Sequence, residues 1–430
     1  MRERWKVVAI NLDEPVTELI CEPGYSGVRV VFLRSGVALG HCIISAAELP
    51  LAPAHLAAIA ANAVAEASGA YLLHEGFRAA LPGLRVPGLE DPERAVAVLC
   101  QLDSPIATLP QYMRDTDGES SMSVTVAVCT HERPAELARC LESIVGSQDR
   151  GDEIIVVDNA PASSTTRDVV ARFEGVRYIC EPRKGLSAAR NAALAAAACD
   201  IVAFADDDVI VHPEWVRRIR RSFADPTVMV VTGLVLPAEL ETQAQKIFEQ
   251  DLQFFHQGYR RRRFDSDFFR GTRRKGVPVW LIGAGANMAI RHAAYRLGYE
   301  FDTRLGPGVF GGCGEDSQYW YRLLHDGWTC LYEPSICVSH YHRKTLPSLR
   351  RLVYEYMKGH VAALILQFQK TRDVGNIRRL LIRLPAEYLI LLLRSAATGF
   401  SLEYRIQLRG ALGCLAGLRL ALPGKGRPAC

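Results

Sequence analysis

The sequence lacks paired cysteine motifs, long apolar runs and a large excess of charge. Its 12 cysteines are scattered without CxxC pairs or histidines at zinc-ligand spacing, which argues against a zinc framework and a secreted disulfide scaffold. No stretch reaches the roughly 18 to 20 uncharged apolar residues that a membrane-spanning helix needs. The formal net charge of +4 is small for 430 residues, so we expect no nucleic-acid partner.

The first thirty residues also lack the features of a secretory signal. Arg2 and Arg4 are followed by no long apolar run, and acidic residues are spread over the positions that such a run would occupy. These residues are Asp13, Glu14, Glu18 and Glu22. Together with the unpaired cysteines, this pattern predicts a reducing, cytoplasmic location.

What the chain does have is enough length for two or three domains and a globular composition, with 49% hydrophobic and 23% charged residues. Strand-like runs at 5–12 and 28–33 and an alanine-rich helical segment at 55–67 predict a small N-terminal α+β accessory domain over residues 1–117. A polar stretch at 114–121 is typical of a linker.

A second domain is predicted over residues 122–345, where short β-branched runs alternate with helices. This alternation is typical of βαβ units and a mostly parallel sheet flanked by helices. The predicted strands are Val124–Thr130, Glu153–Asn159, Val176–Glu181 and 200–205.

Two helices are predicted between these strands. Pro134 favours a helix start, and apolar residues at helical spacing follow it up to Val145. In the second helix, Ser187 is predicted to cap a segment that runs through Arg190 and Leu194.

The remaining residues, 346–430, are predicted to be a helical C-terminal region. Within the segment 377–400, the apolar run 388–393 lies between basic residues. Such a helix can lie in a membrane interface, which predicts peripheral attachment to the inner face of the membrane. A tail that packs on the preceding domain or on a homodimer partner is the alternative.

The strongest chemical signal is the run Asp206, Asp207 and Asp208 after an apolar strand. Clustered carboxylates repel each other unless a cation lies among them. Mg²⁺ and Mn²⁺ at phosphate substrates are held by one or two carboxylates together with phosphate oxygens. The triplet therefore predicts a divalent metal site, with a solvated acidic turn as the alternative.

Polar residues also follow the neighbouring strands. Asp158 and Asn159 end the second strand, and the segment 129–134 closes the first. A nucleotide binds at the carboxyl ends of strands in an open α/β sheet. Asp158 is suited to accept hydrogen bonds from a base or ribose, although such residues are also common in turns.

These segments occur in a characteristic order along about half the chain: THERP at 130–134, VVDN at 156–159, KGLSAARN at 184–191, DDD at 206–208, GANMA at 285–289 and GED at 314–316 with RL at 322–323. The order resembles the inverting family 2 glycosyltransferases with the GT-A fold. The resemblance implies a metal-dependent transfer of a sugar from a nucleotide diphosphate sugar donor.

The resemblance also implies roles for individual residues. A nucleotide-sugar site would be formed by Thr130, Glu132, Arg133, Asp158, Lys184, Arg190, Asp206 and Asp207. Within this set Asp158 would contact the base, and Lys184 and Arg190 the ribose or diphosphate. Mn²⁺ or Mg²⁺ would be held by Asp208, with Asp206 beside it.

An inverting transfer needs one base on the acceptor side and charge stabilisation of the leaving diphosphate on the other. The resemblance places the base at Asp316, and the adjacent Glu315 is the alternative.

The run from His340 to Arg343 follows the last predicted strand. Histidines two residues apart on a strand point the same way, so one of them can ligate the metal or contact the diphosphate. His340 is the candidate ligand, and a hydrogen-bonded structural histidine is the alternative.

Two further features have open interpretations. The basic stretch 260–263, with Arg270 and Arg273 beyond it, suits an anionic acceptor, lipid headgroups or a solvated loop. Trp320 and Tyr319 suit a sugar face or, by default, the core.

The sequence thus predicts an inverting transfer to a glycan or lipid-linked hydroxyl acceptor. A nucleotidyltransferase is an alternative, but the segment 129–134 has no glycine-rich phosphate loop. A catalytically inactive GT-A-fold protein that binds glycans or serves as a scaffold is another.

Overall fold

The fold was analysed in a computed structural model, which describes residues 4–74, 121–255 and 257–421. The predicted linker at 114–121 therefore lies outside the described residues except for Ser121.

A small α+β unit forms the N-terminal part. Its strands are β1 (Trp5–Asn11), β2 (Gly27–Arg34) and β3 (Val37–Ser45), with β1 parallel and β3 antiparallel to β2, and helix α1 (Pro53–His74) packs on them. The predicted strands and helix are confirmed, but the sequence analysis missed β3. Gly40 interrupts the apolar pattern of β3 because a Cβ there would lie 2.2 Å from the carbonyl oxygen of Ala63 in α1.

The central part contains nine strands. These are β4 (Val124–Thr130), β5 (Glu153–Asn159), β6 (Val176–Glu181), β7 (Ile201–Asp206), β8 (Val209–Val211), β9 (Val228–Pro237), β10 (Arg262–Phe264), β11 (Asn287–Arg291) and β12 (Thr329–His340).

The intervening helices are α2 (Pro134–Val145), α3 (Thr165–Val170), α4 (Leu186–Ala196), α5 (Trp215–Ser222), α6 (Gln243–Lys246), α7 (Ser266–Thr272), α8 (Ala293–Arg296) and α9 (Glu315–His325). A π-helical turn, Ile247–Leu252, continues α6.

The nine strands form one mixed sheet in the order β10-β12-β9-β11-β7-β4-β5-β6, with β8 paired to β12. Strands β4, β5, β6, β7, β9 and β12 run in one direction, while β8, β10 and β11 run in the other. The mostly parallel sheet flanked by helices that the GT-A resemblance implies is confirmed. Its topology brings the carboxyl ends of β4, β5, β7 and β12 to the same edge.

Alternating side chains of the strands fill two apolar layers. Val126 and Val128 of β4 face the layer that contains Leu141 of α2, whereas Ala127 faces the layer that contains Leu194 of α4. Both layers are almost completely buried, so the loops at the strand ends are attached to a rigid scaffold.

The N-terminal unit packs directly on the central sheet. Val31 and Ala38 share an apolar cluster with Leu234, Leu236 and Cys337. The guanidinium of Arg218 in α5 also donates to the backbone carbonyls of the turn between β2 and β3.

The C-terminal helices are α10 (Leu346–Thr371), α11 (Val374–Arg378), α12 (Leu384–Ala397) and α13 (Leu402–Gly417), with a π-helical turn, Arg379–Arg383, before α12. Helix α10 packs against α9 and α13. Its Gly359 makes close backbone contact with Cys313, since a Cβ there would lie 1.5 Å from the Cys313 carbonyl oxygen. Within the described ranges, none of the helices is both long and apolar enough to cross a membrane.

Two sequence interpretations need correction. Ser187 does not cap α4: Gly185 is the N-cap residue at φ 123°, and the buried hydroxyl of Ser187 donates to the carbonyl oxygen of Leu305. The stretch 260–263 is not simply a solvated loop, because Arg262 and Arg263 enter strand β10.

The aromatic pair Trp320 and Tyr319 is fully buried in the core, as the default interpretation predicted.

Candidate active site

A cavity of about 320 Å³ opens at the carboxyl ends of β4, β7 and β12. Seven of the predicted site residues, including the whole acidic triplet, line this cavity: Thr130, Arg133, Lys184, Asp206, Asp207, Asp208 and His340. The opposite wall includes Leu352 and Tyr356 of α10. The C-terminal helices therefore contribute to the site rather than forming a separate tail.

Arg133 neutralises much of the acidic triplet. Its Nη1 donates to Asp207 Oδ1 at 2.8 Å and to Asp208 Oδ2 at 2.9 Å, and the hydroxyl of Thr130 donates to the other oxygen of Asp207 at 2.8 Å. Burial raises the pKa of Asp207 to about 6. Arg133 and Thr130 thus bind both oxygens of Asp207. Asp206 and Asp208 remain as the carboxylates of the triplet that can bind a ligand in the cavity.

A possible ligand set for a cation joins Asp206, Asp208 and His340. One ligand atom from each lies within 4.8 Å of the others, and His340 Nε2 is 3.1 Å from Asp208 Oδ1. Burial alone would raise the pKa of Asp208, but His340 and Arg133 hold it well below its usual range. Two carboxylates and an imidazole form a donor set that suits Mn²⁺, and the carboxylates also suit Mg²⁺.

His340 is joined to a second histidine and to a buried carboxylate. The Nδ1 atoms of His340 and His342 are 2.9 Å apart, and His342 Nε2 is 3.2 Å from Glu249 Oε2. The sequence prediction that the two rings lie on the same side is confirmed by this contact. Glu249 was missed because the segment around it carries no motif.

Arg190 connects the triplet to the acidic motif of α9. The buried guanidinium lies 3.5 Å from Asp206 Oδ1 and donates to Glu315 Oε1 at 3.0 Å. Gly285 completes this arrangement, since a Cβ there would lie 2.8 Å from Arg190 and 3.1 Å from Asp316. The guanidinium of Arg190 therefore links Asp206 on β7 with the start of α9.

The two adjacent carboxylates of α9 have different environments. Glu315 is buried and bonded to Arg190 and to the backbone N–H of Gly314. Asp316 is only partly buried, and it accepts hydrogen bonds from the backbone N–H groups of Gly285 and Ser317. Burial raises the pKa of Asp316. Of the two, Asp316 is the more exposed carboxylate, and neither is among the residues that line the cavity.

Two predicted nucleoside contacts do not line the cavity. Asp158 is fully buried, and its Oδ2 accepts from the hydroxyl of Tyr178 at 2.9 Å. Its Oδ1 is also buried and has no hydrogen-bond partner among the described residues. Glu132 has its Oε1 bonded to the backbone N–H of Ala162, so it fixes the loop after β5.

Asn159 positions the loop that carries Lys184. Its Nδ2 donates to the carbonyl oxygen of Arg183, and its Oδ1 accepts from the backbone N–H of Gly185 at 2.8 Å. This clamp holds the exposed Lys184 at the cavity wall. Asn159 is therefore a structural member of the site.

Residues 125–296 match the family model described as Glycosyl transferase family 2. The chain is 29% identical over 247 residues to the pre-mycofactocin glycosyltransferase of Mycobacterium tuberculosis strain H37Rv, which covers 57% of this chain and 47% of the relative. It is 27% identical over 234 residues to the succinoglycan biosynthesis protein ExoM of Rhizobium meliloti, which covers 51% of this chain and 66% of the relative. The chain thus spans about half the length of the first of these relatives.

Among solved structures, the chain is similar to the mannosyltransferase PcManGT from Pyrobaculum calidifontis, which was determined with GDP-Man and Mn²⁺. The match has 17% identity and a TM-score of 0.47, and it covers 87% of this chain and all of the other. A second match is glucosyl-3-phosphoglycerate synthase from Mycobacterium tuberculosis with 17% identity, a TM-score of 0.39, and coverage of 60% and 83%.

The match to the family model spans strands β4 to β11 and includes the acidic triplet and Arg190. Residues 125–296 therefore form a domain of glycosyl transferase family 2.

Proposed function

We propose that the protein transfers a sugar, with inversion, from a nucleotide diphosphate sugar to a hydroxyl group of a glycan or lipid-linked acceptor. The observation that carries this proposal is the link from Asp206 through Arg190 to Glu315 and Asp316. A single displacement requires a cation site and a base near one another, and this link supports that arrangement.

On the donor side, Asp206, Asp208 and His340 would hold Mn²⁺ or Mg²⁺. Once bound, the cation supplies charge neutralisation for the diphosphate leaving group. The exposed ammonium of Lys184 at the cavity wall adds positive charge for the same oxygens. Arg133 holds Asp207 and Asp208 in place, so the carboxylates need not reorganise when the donor binds.

On the acceptor side, Asp316 would remove the proton of the attacking hydroxyl. Its two backbone hydrogen bonds fix the orientation of the carboxylate, and its pKa raised by burial makes it a stronger base. Glu315 is suited to a different role, since its bond to Arg190 keeps that guanidinium beside Asp206.

The test is consumption of UDP-, GDP- and dTDP-sugars with Mn²⁺ by the wild-type protein and by Asp316→Asn. We expect the wild type to turn over at least one donor, and the variant to retain only a small fraction of the wild-type transfer rate. Equal rates for the two proteins would remove Asp316 from the mechanism, and no turnover of any donor would count against the activity itself.

We further propose that the C-terminal helices attach the protein to the surface of an anionic membrane. Large apolar side chains of the 381–393 region are strongly exposed: Leu381 (66%), Ile382 (60%), Leu389 (58%) and Leu393 (63%). Exposed arginines at 383 and 394 lie next to them in the sequence and carry the charge opposite to that of acidic headgroups. This location would favour a lipid-linked acceptor, and a homodimer that buries the same side chains is the competing outcome.

A further inference from the structure

A buried chain of polar contacts joins the N-terminal unit to the candidate cation site. Arg29 of β2 donates from Nη2 to Glu249 Oε1 at 2.8 Å. The other oxygen of Glu249 is 3.2 Å from His342 Nε2, whose Nδ1 is 2.9 Å from Nδ1 of His340. His340 Nε2 in turn faces Asp208. Five side chains thus connect the accessory sheet with the acidic triplet.

The first three members of the chain are shielded from water. The side chains of Arg29 and His342 are 2% exposed and that of Glu249 is 6% exposed. A buried carboxylate between a guanidinium and an imidazole stays ionised, because both neighbours donate to it. An ionised carboxylate can only accept hydrogen bonds.

This constraint fixes the direction of every hydrogen bond in the chain. Because Glu249 only accepts, a neutral His342 ring carries its proton on Nε2 and has an unprotonated Nδ1. Nδ1 of His342 therefore accepts from Nδ1 of His340, which must carry a proton. Nε2 of His340, the nitrogen that faces Asp208, donates to that carboxylate while no cation is bound, and it presents a lone pair when a cation takes the place of this proton.

We propose that Arg29 and Glu249 are positioning residues that act through His342 to present the Nε2 lone pair of His340 to a divalent cation. The inference rests on the proposed function, and it gives the N-terminal unit a role at the candidate active site. Metal-bound histidines commonly donate their second nitrogen to a carboxylate, which sets the tautomer and orients the ring. Here His342 is inserted between that carboxylate and the candidate ligand.

A single substitution reverses the direction of the hydrogen bonds between Glu249 and His340. In Glu249→Gln, the donors of Arg29 attract the amide oxygen, so the amide nitrogen faces His342 Nε2 and donates to it. His342 must then donate from Nδ1 to His340 Nδ1, and the proton of His340 moves to Nε2. The lone pair that faces the cation is lost, although the shape of the side chain is retained.

A second substitution restores the direction. In Arg29→Met/Glu249→Gln no guanidinium holds the amide oxygen, so the glutamine can rotate and accept from His342. This double variant also removes both buried charges, a change that folded proteins often tolerate. As a matched control, Asp373→Asn changes another buried carboxylate that pairs with an arginine, Arg273, at a different place in the fold.

The measurement is Mn²⁺ affinity of the full chain without substrate, by electron paramagnetic resonance of free Mn²⁺, with thermal unfolding of each variant as the check on folding. We expect Glu249→Gln to bind Mn²⁺ about 10 to 100 times more weakly than the wild type. The double variant should recover most of this loss, and Asp373→Asn should bind like the wild type.

Two outcomes separate failure of this inference from failure of the proposed function. If the wild type binds Mn²⁺ and Glu249→Gln binds it equally well, or if the double variant binds no better than Glu249→Gln, the positioning role is wrong while the transferase proposal stands. If the wild type binds no Mn²⁺, the cation site and the positioning role are both wrong.

A spectroscopic measurement on wild-type protein does not depend on any variant folding. With ¹⁵N-labelled histidine and saturating Mg²⁺, long-range ¹H–¹⁵N correlation spectra report which ring nitrogen carries the proton. We expect the proton of His342 on Nε2 and a bare Nδ1. A proton on Nδ1 of His342 would overturn the inference.

Discussion

The guanidinium of Arg190 donates to the carboxylate of Glu315 across 3.0 Å in the buried centre of the molecule. Its other terminal nitrogen lies 3.5 Å from Asp206. A residue of α4 thus fixes the distance between the acidic triplet after β7 and the start of α9. The proposed donor and acceptor sides are coupled through this one side chain.

This coupling predicts the effect of Arg190→Lys. Lysine keeps the positive charge but cannot contact both carboxylates in the planar geometry of a guanidinium. Loss of one charged hydrogen bond, about 1.5–3 kcal/mol, corresponds to a reduction of kcat/KM by roughly 10- to 100-fold. Steady-state kinetics with the active donor measure the change, and an unchanged kcat/KM would show that the contact is only structural.

The adjacent carboxylates of α9 should respond differently to neutral substitution. Asp316→Asn removes the proposed base and should lower kcat by roughly 100- to 10,000-fold with donor affinity unchanged. Glu315→Gln leaves Asp316, the proposed base, in place but weakens the hydrogen bond to Arg190. It should therefore lower kcat less than Asp316→Asn and destabilise the fold more. A larger loss of kcat in Glu315→Gln than in Asp316→Asn would assign the base to Glu315.

Removal of divalent metal should abolish transfer. Asp206, Asp208 and His340 are the described groups positioned to share a cation, and without one the diphosphate leaves against uncompensated negative charge. We expect a chelator to stop turnover and excess Mn²⁺ to restore it. Asp208→Asn should raise the Mn²⁺ concentration needed for half-maximal rate, and full activity in the chelator would rule out the cation.

Gly359 provides a test of the contact between α10 and the loop before α9. A Cβ at this position would lie 1.5 Å from the Cys313 carbonyl oxygen, so Gly359→Ala must displace that backbone or α10. We expect destabilisation of about 1–3 kcal/mol in chemical unfolding, together with slower transfer, because Glu315 and Asp316 follow the loop.

Gly271→Ala is the matched control. Gly271 lies in α7, and a Cβ there would meet nothing within 4 Å. Alanine in a helix should be neutral or should stabilise the protein by up to about 1 kcal/mol. Equal unfolding free energies for the two variants would contradict the close packing at Gly359.

Membrane attachment is tested by changing the exposed apolar side chains rather than by truncation, because α10 lines the cavity. In the double variant Leu389→Ser/Leu393→Ser, flotation with vesicles rich in anionic lipid should fall strongly compared with the wild type. Flotation of the two proteins to the same extent would contradict the proposed membrane attachment. Loss of a dimer instead, seen as a smaller mass in light scattering, would favour the homodimer.

The sequence predicted the first half of the sheet very well. The bounds of β4, β5 and β6 agree with the structure residue by residue, because β4 and β5 are rich in β-branched residues and polar or proline-containing turn segments follow all three strands. The edge formed by their carboxyl ends was therefore also predictable. The structure joins the acidic triplet, His340 and Arg190 in one connected group, but Arg190 is buried and does not line the cavity where it was expected to contact the ribose or diphosphate.

Contacts between distant segments were not predictable from local patterns. Arg29 and Glu249 are separated by 220 positions and lie in segments without a motif. Tyr356 reaches the cavity from a helix that was interpreted as part of a tail. The sequence also could not show that the carbonyl oxygen of Leu305 would lie close enough to accept from the hydroxyl of Ser187, which was predicted to cap a helix.

The most direct test of the proposed chemistry is the anomeric configuration of the product. A proton NMR spectrum of the newly formed glycosidic bond, made with the donor that the wild type consumes, distinguishes one displacement from two. Because we propose Asp316 as the base on the acceptor side, we predict a configuration opposite to that of the donor. A product with the configuration of the donor would contradict the single displacement and the role of Asp316.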